Sequence, residues 1–213
     1  MSDVQTRHTD SEPNPTPAGV PATMRWRVVD IVVASVLAVA IGIVFWAWSN
    51  SWETISAPFQ ALYPPTKGLL TGVWVLGGVL GGLIIRKPGA ALYVEVLAAI
   101  VSAVPGNYFG LMVIVSGLIQ GFGAELIFAA LRYRRYTLIA TLLAGLGAGL
   151  SLAIGENILY NAAWTFEHKA LYTVFAGISG MVLAGLVSWF ALKAIARTGA
   201  LGAFACGRSA REV

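Results

Sequence analysis

Charged residues are scarce in this sequence. Asp, Glu, Lys and Arg make up 11% of its 213 residues, less than half of the roughly one quarter that soluble domains carry. Beside 57% apolar residues and a mean hydropathy of +0.75, that scarcity excludes a soluble enzyme, a disordered scaffold and a basic nucleic-acid-binding domain, and it points to a lipid bilayer. Cysteine is nearly absent: Cys206 stands alone, so no internal disulfide and no oxidising compartment is implied. Histidine occurs twice, as His8 and His168, both outside the apolar runs. No HExxH or other His/Cys cluster exists to hold a metal, no GxxxxGK[ST] loop to hydrolyse ATP, and no intramembrane His to activate a serine nucleophile. No catalytic residue, metal or cofactor is therefore expected.

What remains is apolar sequence in long runs. A helix crossing ~30 Å of hydrocarbon needs ~20 mostly apolar residues, and six segments come close: residues 28–48, 68–85, 89–104, 110–131, 137–160 and 171–196. The third is short and ends at Pro105–Gly106, where irregular or re-entrant backbone is expected. Residues 1–23 are rich in Pro, Ser, Thr and Asp with no apolar run, which reads as a disordered cytosolic tail and not as the apolar part of a signal peptide. The organisation expected is a tail over 1–23, a six-helix membrane domain over 24–197 and a cytosolic tail over 198–213.

The basic residues test that count, because Lys and Arg collect in cytoplasmic loops. Twelve of the fourteen fall before the first span, between the second and third, between the fourth and fifth, or at and after the end of the sixth; only Lys67 and Lys169 fall on the other side. Both termini are thus expected in the cytoplasm of a cell-membrane protein, and the formal charge of +4 needs no nucleic acid. Trp46, Trp48, Trp52, Tyr63, Tyr108, Tyr160, Trp164 and Tyr172 gather at the opposite helix ends, the usual place for an aromatic belt. The loop from Ser49 to Lys67, with Pro64–Pro65, is long enough to fold back as a lid.

Ionisable groups inside apolar spans mark a substrate path, a proton relay or a structural pair. Here they are acidic. Glu95 and Gln120 lie at matching depths, ~15 Å below the outer surface by helical rise, and Glu156 lies one turn before Tyr160 on the fifth span. Glu125 is deeper and turned well away from Gln120; a bond to Arg132 or another structural partner is its expected role. With no intramembrane Lys or Arg to neutralise them, Glu95 and Glu156 are either protonated and bonded to a neighbouring helix or await a cation from outside. A flat cationic ligand would suit acids flanked by Trp46, Trp48, Trp74 and Tyr93. Small residues form a second pattern: Ala34, Ala38 and Gly42 recur every four positions on the first helix, a stripe suited to close helix contact, internal or with another membrane protein.

Two strings carry a family resemblance: Ile85-Arg86-Lys87-Pro88-Gly89-Ala90-Ala91, continuing through Glu95 to Pro105-Gly106-Asn107, and Ser116-Gly117-Leu118-Ile119-Gln120-Gly121-Phe122-Gly123-Ala124-Glu125-Leu126-Ile127-Phe128. On these the chain resembles the substrate-binding S components of energy-coupling factor (ECF) vitamin transporters, in particular the YkoE family associated with thiamine or its hydroxymethylpyrimidine precursor. The resemblance implies an all-α, six-helix S-component fold that is not an enzyme. It also implies partners: a transmembrane coupling protein, docked through Ala34, Ala38 and Gly42, and two ABC ATPase subunits. On this reading Glu95 and Glu156 supply negative charge, Gln120 and Asn107 hydrogen-bond a pyrimidine, Glu125 is a further acid of the matched string, and Trp46, Trp48, Trp74, Tyr93 and Tyr160 stack on or enclose the ligand. The competing reading is a self-sufficient proton-coupled transporter with Glu95, Glu125 and Glu156 as a relay, for which inverted repeats are the expected signature; none is evident between the two three-helix halves.

Overall fold

The computed structural model describes residues 24–198. The expected N-terminal tail, with His8, and all but the first residue of the C-terminal tail, with Cys206, lie outside them. Every regular element among the described residues is helical: α1 (Val28–Asn50), α2 (Trp52–Leu62), a 3-10 helix (Pro64–Val75) running into α3 (Leu76–Ile85), α4 (Ala90–Ala103), α5 (Met112–Ala130), α6 (Leu138–Leu159), α7 (Phe166–Ser179), a π-helical stretch (Gly180–Leu186) and α8 (Val187–Arg197). Five helical stretches are long and apolar enough to cross a membrane: Val28–Asn50, Pro64–Ile85, Met112–Ala130, Leu138–Leu159 and Phe166–Arg197. Ala90–Ala103 is a shorter apolar helix beside them. The predicted segments reappear as helices with ends within about five residues, the third only as the shorter Ala90–Ala103, and nearly all of the expected lid loop is helical too.

The helix ends divide into a basic end, with Arg27, Arg86, Lys87 and Arg132, and an aromatic end, with Trp52, Tyr108, Tyr160 and Trp164, although Trp26, Tyr93 and Tyr136 also stand at the basic end and Lys67 at the aromatic one. At the basic end Arg27 and Asp30 close the first turn of α1, the Arg27 N–H donating to Asp30 Oδ2 at 2.7 Å. Asp30, fully buried, also takes the Lys87 ammonium from the α3–α4 turn, and Lys87 reaches the Arg25 carbonyl as well. The turn is short because Arg86 and Gly89 both adopt left-handed backbone, at φ 56° and 82°.

Small residues bring the helices together. The stripe Ala34, Ala38 and Gly42, read as a docking face, is buried and turned inward: a β-carbon on Gly42 would lie 2.7 Å from Val101 Cβ and 2.8 Å from the Ala98 carbonyl oxygen. This face is therefore closed by α4, which corrects the docking expectation. Close approach is what missing side-chain volume permits, and in this chain the nearest helix takes the place. The lipid-side face of α1 carries Val32, Val36, Val39 and Ile43 instead.

Two irregular helical stretches face each other. The 3-10 helix rises ~2.0 Å per residue against ~1.5 Å for an α-helix, so Pro64–Val75 covers more depth with fewer side chains. Its Gly72 N–H donates to Ser179 Oγ at 2.9 Å, and Ser179 donates in turn to the Leu69 carbonyl at 2.6 Å. No side chain fits at Gly72, whose β-carbon would lie 2.3 Å from the Ser179 carbonyl oxygen. Just beyond Ser179, the π-helical stretch lets Gly180 pack backbone to backbone on Gly145 and Gly149 of α6.

Candidate ligand cavity

The aromatic end holds a cavity between α1, the 3-10 helix, α4, α5 and α6. Its walls are Phe45, Trp74, Ala99, Phe109, Val113, Ser116, Gln120, Glu156 and Tyr160. It contains about 360 Å³ of empty space, part of it open to solvent; the walls are close together, and a ring would enter by moving side chains. Much of the wall is aromatic. Phe109 contacts Trp74 edge-on at 5.4 Å between centroids, Tyr160 at 5.7 Å and Tyr108 at 4.9 Å. Trp52 of α2 packs on Trp74 at 4.6 Å and on Phe109 at 6.5 Å, so the loop expected to form a lid supplies a helix that rests on two wall residues. Tyr108 ties that helix to the α4–α5 loop by donating to Glu53 at 2.7 Å. The bond and the neighbouring carboxylate push the Tyr108 phenol above its ordinary range.

The polar side of the cavity is made by Gln120, Ser116 and Glu156. Ser116 precedes Gln120 by one helical turn on α5, so both face the same way. Gln120 is the link to a second acid. With the amide oriented as its neighbours require, its nitrogen donates to Glu95 Oε1 at 3.0 Å and to the Trp74 carbonyl at 3.1 Å. Glu95, fully buried, takes the Gly78 N–H on its other oxygen at 2.6 Å. It has room there because Gly77 and Gly78 carry no side chain; a β-carbon on Gly77 would lie 2.8 Å from Oε2. Glu156 stands half-buried on the opposite wall and accepts the hydroxyl of the buried Tyr172. Asn157 and Asn161, next along α6 and beyond it, each keep one buried amide atom without a partner, Oδ1 and Nδ2 respectively.

Comparison with known proteins assigns this architecture. A family profile described as ABC-type cobalt transport system, permease component, matches residues 29–151. YkoE of Bacillus subtilis (strain 168), named as a candidate HMP/thiamine permease, is 34% identical over 88% of this chain and 93% of its own length. A crystal structure of an S-component of an ECF transporter superposes with a TM-score of 0.82 at 33% identity, covering 88% of this chain and 94% of that one. The chain belongs to the YkoE family of ECF S components. It is a multi-pass membrane protein whose relatives are transporter components.

In this S component, four of the residues expected at the ligand line the cavity: Trp74, Gln120, Glu156 and Tyr160. Glu95 lies one residue behind, reaching the cavity through Gln120. Asn107 acts on a wall residue, since its Oδ1 accepts the Phe109 N–H at 3.0 Å and its Nδ2 donates to Ser102 at 3.3 Å. Four others are elsewhere. Trp46 faces the membrane side of α1, 38% exposed, and donates to the Gly106 carbonyl at 2.9 Å. Trp48 is half-buried, with its indole N–H unpartnered, and is not on the wall. Tyr93 is near the start of α4, so it sits at the basic end, bonded to Ser35 at 2.8 Å and edge-on to Trp26. Glu125 caps α4, accepting the N–H groups of Gly89 (2.6 Å), Ala91 (3.0 Å) and Leu92 (3.4 Å) and the Tyr133 hydroxyl (2.7 Å). A carboxylate is favoured there by the orphan donors and the positive end of the helix dipole, so its partners are a helix end and a tyrosine, not Arg132.

Phe45, Phe109 and Ser116 were missed. Each had a signal: Phe45 extends the buried stripe of Ala34, Ala38 and Ile41, Ser116 is one turn from Gln120, and Phe109 follows the Pro105–Gly106 break. The largest omission is Lys67. Counted as an outer-loop charge, it is half-buried beside α6, donating to Asn161 Oδ1 at 3.3 Å and close enough to act electrostatically on Glu156. Lys67 thus stands near Glu156 without an ion pair between them among the described residues.

Proposed function

We propose that this protein is the substrate-capturing subunit of an ECF-type importer. On this reading it takes thiamine or its hydroxymethylpyrimidine precursor from the outer face of the cell membrane and releases it inward after reorientation by partners. The observation that carries the reading is the cavity at the aromatic end, where Gln120 and Glu156 face aromatic walls. One amide, one carboxylate and the hydroxyls of Ser116 and Tyr160 among rings suit a planar organic ligand with donors and acceptors. A transition metal would favour imidazole or thiolate donors, and the wall has neither.

The distribution of Lys and Arg supports six crossings with α4 as the third, and both termini in the cytoplasm. Energy would come from partners, a transmembrane coupling protein and two ABC ATPases, since this chain has no phosphate-binding loop. With the α1 stripe covered by α4, the coupling protein would meet other lipid-facing residues of the bundle. The relay alternative loses support from Glu125, whose bonds lead to backbone and to Tyr133 and not toward Glu95 or Glu156.

Titration of the purified full chain with thiamine and with hydroxymethylpyrimidine, read by tryptophan fluorescence or calorimetry, tests this. At least one is expected to bind, and Gln120→Ala is expected to weaken it by about tenfold, near 1.4 kcal/mol, while the protein stays folded. Absence of binding by both ligands, or unchanged affinity in the variant, would count against the cavity as the site.

A further inference from the structure

We infer that the turn joining α5 to α6 is a binding site for an anionic phospholipid, with Arg132, Arg134 and Arg135 on its phosphate and Leu126 and Ile139 along its acyl chains. This site lies at the opposite end of the bundle from the ligand cavity and shares no residue with it.

The turn is built in a way that keeps side chains where glycine would serve the backbone better. Arg132 and Tyr133 are both left-handed, at φ 55° and 54°, a conformation that side chains oppose. Backbone bonds hold the reversal: the Arg132 N–H donates to the Ala129 carbonyl at 2.8 Å and the Tyr133 N–H to the Phe128 carbonyl at 2.9 Å. The tyrosines fasten it to the bundle. Tyr133 donates its hydroxyl to Glu125 at 2.7 Å, and Tyr136 stacks on Phe128 with 5.8 Å between centroids. Both tyrosines are half-buried, while Arg132, Arg134 and Arg135 are exposed. Glu125 accounts for the side chain at Tyr133; no internal contact accounts for the one at Arg132.

Charge at this end is left uncompensated. Among the described residues none of the three arginines has a side-chain bond or an ion pair. The acids at this end are occupied, Asp30 by Lys87 and Arg27 and Glu125 by the start of α4 and Tyr133. Arg86 adds to the excess, its guanidinium 4.8 Å from the Tyr136 ring centroid, and Tyr136 Oη is buried without a partner. Arg25, Lys193 and Arg197 carry further positive charge at this end. Because α5 and α6 are long and apolar enough to cross a membrane, the turn between them stands at headgroup level. Leu126 on α5 and Ile139 on α6 are exposed and continue apolar surface from the turn into the hydrocarbon. Guanidinium groups pair with phosphate through two parallel bonds, and anionic leaflets attract basic residues near the surface. Phosphatidylcholine offers the same phosphate beside its own fixed cation, which the arginines repel. A soluble acidic protein would match the charge but would have no use for the apolar residues below it.

The test is the ratio of the dissociation constants of phosphatidylglycerol and phosphatidylcholine, measured by native mass spectrometry on the purified full chain. Both lipids meet the same preparation, so loss of folded protein cancels. Wild type is expected to favour phosphatidylglycerol by tenfold or more, and the triple variant Arg132→Gln, Arg134→Gln, Arg135→Gln to fall to within about twofold of no preference. The charge-matched triple Arg25→Gln, Lys193→Gln, Arg197→Gln is expected to stay within about threefold of wild type. Arg132→Gly, which suits the left-handed backbone, is expected to keep the fold and to lower the preference by threefold or more. A wild type without preference overturns the inference, as does an equal loss in both triples, which would make the effect one of overall charge. An unchanged ratio in the turn triple overturns it too, and points to a protein partner if assembly with the coupling protein is lost instead; should that triple not fold, an unchanged ratio in Arg132→Gly does the same. Glycerol 3-phosphate that displaces phosphatidylglycerol at equal concentration makes a soluble phosphate ester the occupant and overturns the lipid.

Discussion

Glu125 at the basic end and Glu156 at the aromatic end are both carboxylates on apolar helices, and their surroundings differ in kind. Glu125 receives three backbone N–H groups and a tyrosine hydroxyl, and nearby Asp30 receives Lys87 and Arg27. These acids are used up in joining α1, the α3–α4 turn and α5 to one another. Glu156 has one hydroxyl bond and a lysine beyond contact, beside two asparagines with unpartnered amide atoms and a cavity whose walls are rings. A buried polar group left half-satisfied costs stability, so its persistence at one end fits a place completed by something else. The basic end has its own unpartnered atoms, Tyr136 Oη and Ser188 Oγ, but among the described residues no buried acid there lacks a donor. Burial of an acid in a membrane protein is thus not in itself a sign of ligand binding; how its lone pairs are filled separates the two roles.

The sharpest way to break this comparison is at Asp30. Replacement by Ala leaves the Lys87 ammonium with the Arg25 carbonyl alone, and breaking a buried pair in this way costs about 3 kcal/mol. A clear fall in thermal midpoint of the solubilised protein is expected, with ligand affinity of the surviving folded fraction unchanged; a midpoint equal to wild type would show that the basic end is not held by charge. Glu125→Ala removes the cap of α4 and is expected to cost about 1–2 kcal/mol, again with affinity within about twofold. Should it abolish binding while the protein stays folded, Glu125 belongs with the cavity after all.

The smallest effect is in pH. Burial pushes the Tyr133 phenol up to about 12, helped by its bond to Glu125. The folded state then keeps a proton that the unfolded chain releases near 10, so the stability it contributes is present below pH 10 and is lost as pH rises from about 10 to about 12. Thermal midpoints of wild type and Tyr133→Phe should run parallel below pH 10 and converge above it. Parallel curves throughout would detach Tyr133 from the capping of α4.

Much of this was legible before the structure. Run lengths of apolar residues located the helices, and helical rise put Glu95 and Gln120 at one depth, although only Gln120 lines the cavity. Errors came where facing mattered. Tyr93 was matched with the ligand although three residues from the start of α4, and the Ala34–Ala38–Gly42 stripe was turned outward although α4 fills it. Lys67 was counted with solvent because its neighbours in sequence are a loop, while its neighbours in space are Trp164 and Tyr172.

The sequence by itself determined depth. Each helical residue advances by a nearly constant rise, and the bilayer sorts charge and aromatic rings along its normal, so position in the chain converts into position across the membrane. Only the tertiary structure decided rotation about each helix axis and who stands beside whom. Lipid tails and helix interiors are equally apolar, so an apolar face carries no mark of whether it meets lipid or another helix. Close glycine and alanine contacts, which depend on shape and not on hydropathy, chose the neighbours and so closed the cavity around Gln120 and Glu156.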